Sequence, residues 1–108
     1  MNEPKKEKQT LHIVSRSPYQ YRDIEQCLDR ACDNDAILLT GDAVFALLPT
    51  STIYHHLKNT SIFMCALEPE VAARGLLEQN VPESTINLIS DDDFVQLVCE
   101  YSRSFTWF

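Results

Sequence analysis

Cys27, Cys32, Cys65 and Cys99 are the side chains best suited to covalent chemistry, because a cysteine that ionises attacks sulfur, carbon or a metal. None forms a Cys-x-x-Cys pair, and spacings of 5, 33 and 34 residues lack the close ligand pairs of a structural zinc site. No metal and no cofactor is expected from this pattern. His55 and His56 are adjacent, so they cannot share a helix face as an i, i+4 metal pair does. His12 stands in an apolar stretch with no carboxylate or thiol next to it, which suits a half-buried packing residue. Ser15-Arg16-Ser17 sets a cation between two hydroxyls, a group that can hold an anion or merely solvate a turn. Asp91-Asp92-Asp93 invites a magnesium or acid–base reading. Its place directly before an apolar-periodic segment fits a helix N-cap and first turn better, where carboxylates meet the positive end of the helix dipole.

The elements that must carry these groups follow from hydrophobic periodicity. Residues 36–39 run Ala-Ile-Leu-Leu without a charge, the mark of a strand buried on both faces in a parallel sheet. Gly41 permits a sharp turn at its carboxyl end, and Asp42 is placed to cap a helix over residues 43–48. Residues 10–14 read as the first strand, followed by a loop around Pro18. An amphipathic helix over residues 21–31 has Ile24, Cys27, Leu28 and Ala31 at i, i+3, i+4, i+7 spacing, with Cys27 at one flank of the stripe, where it reads first as a small buried hydrophobe, and Cys32 about 140° away. Further strands are expected at 61–67, of the buried type, and at 86–89, a third inner strand, with helices at 53–58, 68–75 and 94–101, a polar connection at 76–83, and a docked aromatic end at 104–108. The resulting alternation of strands and helices predicts an α/β fold: a single domain, mostly parallel sheet, helices on both faces. Residues 1–9 read as a disordered tail and 10–108 as the domain.

Composition narrows the function. Sixteen acidic against nine basic residues give a net charge of −7, which repels nucleic-acid phosphate, so no direct nucleic-acid partner is expected. No run approaches the ~20 apolar residues of a membrane helix, and the first ten positions resemble neither a signal peptide nor an anchor. A cytoplasmic protein with reduced thiols is expected. Two glycines leave no phosphate-cradling loop, and no glycine-flanked serine suggests a hydrolase. An anion-binding module using Arg16, Asp42 and Asp91 at the strand ends stays open as an alternative of another class.

Four stretches together carry a family resemblance: Leu-His-Ile-Val-Ser-Arg-Ser-Pro-Tyr at 11–19, Ile-Leu-Leu-Thr-Gly-Asp-Ala-Val-Phe-Ala-Leu at 37–47, Ala-Leu-Glu-Pro-Glu-Val-Ala-Ala-Arg-Gly at 66–75, and Trp107. By these the chain resembles the DsrH/TusB family, although Thr40-Gly41-Asp42 departs from the family's usual acidic-or-Gln, Asp, Gly turn. The resemblance implies a DsrE/DsrF/DsrH-like fold and a largely structural subunit of a heterohexameric persulfide relay. Its partners would be DsrE/TusD-like and DsrF/TusC-like subunits, and its output 2-thiolation of the tRNA wobble uridine. It also implies an alternative, a DsrH-type subunit of dissimilatory sulfur oxidation. Such members carry a cysteine in the first helix, where Cys27 falls, which makes Cys27 the candidate persulfide carrier.

Overall fold

The computed structural model describes residues 8–78 and 86–107. Five strands, β1 (Thr10–Val14), β2 (Ala36–Leu39), β3 (Phe63–Leu67), β4 (Ile86–Ile89) and β5 (Arg103–Trp107), form one sheet in the order β4-β3-β2-β1-β5. Every pair is parallel. All four residues of β2 are buried, as expected of the central strand of a parallel sheet covered on both faces.

Four α-helices accompany them: α1 (Asp23–Arg30), α2 (Tyr54–Asn59), α3 (Glu68–Ala73) and α4 (Asp91–Glu100). The connections from β1 to β4 step one way along the sheet, whereas the last one jumps back past β1. Right-handed crossovers therefore put α4 on the opposite face. The core divides accordingly. Val14, Ile37, Leu39, Met64, Ala66 and Ile86 face Ile24 and Cys27 of α1, Leu57 of α2 and Val71 of α3. On the other face Leu11, Ala36, Leu38, Cys65 and Leu67 meet Phe94 and Leu97 of α4 and Tyr101 at its C-cap.

Four expected details change. β4, expected as an inner strand, pairs with β3 at the edge of the sheet and leaves Asn87 and Leu88 exposed. The segment expected to be a helix over 43–48 is a 3₁₀ helix, Gly41–Leu47, with Thr40 at its N-cap and no side-chain cap. Because 3₁₀ geometry eclipses residues i and i+3, it stacks Val44 on Leu47 and Ala43 on Ala46, and all four are buried. Gln9, read as tail, is tied into the fold: its N–H donates to the Asn34 carbonyl, and its own carbonyl accepts from Arg103 N–H. Leu76–Glu78 forms a short 3₁₀ turn within the stretch read as a polar connection, whose remainder lies outside the described residues.

Candidate functional site

Helix α1 is short, and it seals itself to the sheet through a narrow stripe. Ile24 and Cys27, nearly one turn apart, are its buried apolar residues, while Leu28 and Ala31 pack at the margin. Cys27 is 0% exposed, so the flank position expected from the helical wheel becomes the centre of the contact. Burial, helped by the nearby Asp35 carboxylate, pushes its thiol up to about 12. At neutral pH roughly one molecule in 10⁵ then carries the thiolate that attacks sulfur. Cys65, on β3, is also buried and pushed up to about 12, with Sγ 3.7 Å from the Ile37 carbonyl oxygen. The exposed thiols are Cys32, in the loop after α1, and Cys99, on α4.

Beside Cys27 lies a buried polar network that sequence reasoning missed. Trp107 Nε1–H donates to His12 Nδ1 at 3.1 Å, and His12 Nε2 lies 2.9 Å from Asp35 Oδ2. Indole nitrogen can only donate, so Nδ1 must accept, which leaves the imidazole proton on Nε2 and directed at Asp35. Asp35 also accepts backbone N–H bonds from Thr10 at 3.1 Å and Cys32 at 3.0 Å. Burial raises its carboxyl, but the Cys32 N–H, the His12 ring and the Thr10 N–H outweigh that and hold it below its ordinary value. An Asp–His pair resembles the orienting half of a catalytic base, yet here both ring nitrogens are occupied. The network clamps β5, β1 and the start of β2 together. Its signal in the chain was weak: Asp35 stands 23 residues after His12, and only the β1–β2 register, Leu11 beside Ala36, unites them.

At the carboxyl edge of the sheet, among the described residues, the groups expected to hold an anion are engaged elsewhere or stand apart. Arg16 donates to both oxygens of Asp23, at 2.7 and 2.9 Å, and its guanidinium carbon lies 3.8 Å from the Tyr21 ring centroid. Such a bidentate, stacked guanidinium has spent its fork on the protein. Asp42, read as a helix cap, instead accepts from Arg74 Nε at 3.0 Å, and Arg74 also reaches Glu70 at 2.6 Å. Asp91 sits exposed in the first turn of α4. The helix is capped by a reciprocal pair there: Ser90 Oγ accepts Asp93 N–H at 3.1 Å, and Asp93 accepts Ser90 N–H at 3.2 Å. The structure therefore gives Arg16 and Asp42 separate partners and does not gather the three groups of the anion-binding alternative into a common, unspent set. His55 and His56 are exposed on α2. Among the described residues no group of three or more His, Cys, Asp or Glu could hold a metal, and no helix is long and apolar enough to cross a membrane.

A family model described as "DsrH like protein" matches residues 16–104. The chain belongs to the DsrH-like family. Relatives named Protein TusB agree: that of Pectobacterium parmentieri is 35% identical over 97 residues, covering 90% of this chain and 99% of its own. The Protein TusB of Pectobacterium carotovorum subsp. carotovorum is 37% identical over the same shares, and that of an Enterobacter species 33%. Among solved structures, the ychN protein of E. coli superposes with a TM-score of 0.72 at 16% identity, covering 91% of this chain and 98% of that one. At that identity the likeness establishes the fold alone. Within this DsrH-like chain, the first-helix cysteine thus lies under the helix that carries it.

Proposed function

We propose that this protein is an auxiliary, non-catalytic subunit of a cytoplasmic heterohexameric persulfide relay that supports 2-thiolation of the tRNA wobble uridine. Its partners would be DsrE/TusD-like and DsrF/TusC-like subunits. Membership of the DsrH-like family and relatives named Protein TusB support a place in such a relay. The observation that carries the auxiliary role is the state of Cys27. Sulfur transfer needs a thiolate to attack the outer sulfur of a donor persulfide, forming a new persulfide and expelling the donor's thiolate. A fully buried thiol pushed up to about 12 supplies neither the anion nor the access. For Cys27 to act as a carrier, α1 would have to lift from the sheet and expose Ile24 with it. A net charge of −7 favours protein partners over direct contact with tRNA.

Complementation of a strain lacking the protein tests the reading. Loss of 2-thiouridine, its restoration by Cys27→Ala, and a 2:2:2 native mass for the complex with both sister subunits are the expected results. Failure of a folded, assembled Cys27→Ala variant to restore 2-thiouridine would overturn the auxiliary role in favour of a carrier. Unchanged 2-thiouridine in the deletion strain would remove tRNA thiolation.

A further inference from the structure

Among the described residues α4 is the one helix on its face of the sheet, yet none of its residues is buried. Its inner residues Phe94, Leu97 and Tyr101 are only half-buried, and Phe63 on β3 is 45% exposed. That is anomalous in a parallel sheet, whose faces are ordinarily both covered. Two clefts explain it. One, ≈ 270 Å³, lies between the C-terminal turn of α4 and the start of β2, and the other, ≈ 190 Å³, runs beside Ile89, Asp93 and Gln96. Phe63 and Leu97 line both, so the two clefts are neighbours and together make a groove, shared at these two side chains, along a flank of α4. From Asp93 to Tyr101 it follows about two helical turns, roughly 12 Å.

The floor is apolar: Phe63, Leu97 and Ile89. Around it stand the carboxylates of Asp33, Asp93 and Glu100; among the described residues Lys8 is the one cation lining it, and its ammonium offsets Glu100, with which it is paired at 2.7 Å. We propose that this groove docks a basic amphipathic helix of a protein partner, with apolar side chains seated on Phe63 and Leu97 and Lys or Arg side chains meeting the acidic rim. The proposal rests on the relay-subunit reading only in expecting a protein partner; it adds which surface is used and what chemistry fits it. A second copy of the chain fits poorly, because a two-fold contact would bring two such rims together in a protein of net charge −7. A small ligand fits poorly too. Among the described residues no buried side-chain polar atom lacks a partner, so none waits to orient one.

The test uses the full-length protein and a synthetic amphipathic helix of leucine and lysine, about four turns long, followed by amide chemical shifts. Its leucine–glutamate counterpart is the control. Expected are shifts clustered around Phe63, Leu97 and Glu100, with affinity falling at least about fivefold in both Phe63→Ala and Gln96→Arg. Asp29→Asn, which changes charge by the same amount as Gln96→Arg but at an exposed position of α1, should bind as the parent does. No binding, shifts scattered over the surface, equal weakening by Asp29→Asn, or equal binding of the acidic peptide would each overturn the proposal. So would a concentration-dependent dimer dispersed by Phe63→Ala, which would assign the groove to a second copy. The peptide assay involves no sister subunit, so its failure leaves the 2:2:2 test of the relay reading intact, and the reverse also holds.

Discussion

Two kinds of thiol coexist in this chain, and their chemistry should separate cleanly. Cys27 and Cys65 are buried in opposite faces of the core, whereas Cys32 and Cys99 face solvent. Alkylation of the native protein at neutral pH, read by peptide mass, should modify Cys32 and Cys99 at least about a hundredfold faster than the buried pair, which should react only on unfolding. Rapid native labelling of Cys27 would mean that α1 opens readily. Asp35 makes a second prediction at this scale. Its carboxyl is held below the ordinary 3.8, so folding favours the ionised form. That contribution is present above the unfolded value and is lost as pH falls through the folded one. Asp35→Asn should therefore be destabilised by about 2 kcal/mol at pH 7. Urea titrations should find the gap narrowing as pH drops below 3.8. A gap that stays constant with pH would mean the carboxylate's charge contributes nothing to the clamp.

The turns show how elements are held at fixed distances. Gly41 ends the β2 turn with φ +51°, and a Cβ there would stand 3.0 Å from the Ser15 carbonyl oxygen. Gly75, after α3, has φ +70° but nothing within 4 Å of the same atom. Both substitutions to alanine carry the left-handed backbone cost of roughly 1–2 kcal/mol. Only Gly41→Ala also forces the β1 and β2 loops apart, so its thermal midpoint should fall several degrees below that of Gly75→Ala. Equal midpoints would show that the Ser15 contact yields without cost. Both glycines were legible in the chain because each follows an apolar or helical segment. Asp42 was not: a residue after Gly41 reads as a cap, and only the fold brings Arg74 of the α3 terminus within 3.0 Å of it.

At the scale of the molecule, the edge strand β5 bonds only to β1 and would fray first were it not clamped. Trp107 is the chain's single tryptophan and donates directly into the buried His12–Asp35 pair. Its emission therefore reports on the clamp, while far-UV circular dichroism reports on all the helices. In one cooperative domain the two unfolding transitions should coincide. A fluorescence transition at lower denaturant would show β5 leaving before the rest.

Much of this architecture was written locally. The four apolar residues of β2, the parallel alternation of strands and helices, the α4 cap at Ser90 and the stops at glycine follow from neighbours a few positions apart, where periodicity and backbone preference act. Family membership was legible too, since it rests on strings of adjacent residues. Three things were decided only by the tertiary structure. That Cys27 sits at the centre of the contact rather than at its margin depends on how a short helix settles on the sheet, which a wheel cannot place to within a flank. The His12–Asp35–Trp107 clamp joins residues 23 and 95 positions apart, and such pairings exist only once strand register is set. The acidic groove arises because, among the described helices, α4 crosses to the second face, a consequence of strand order that no local pattern encodes.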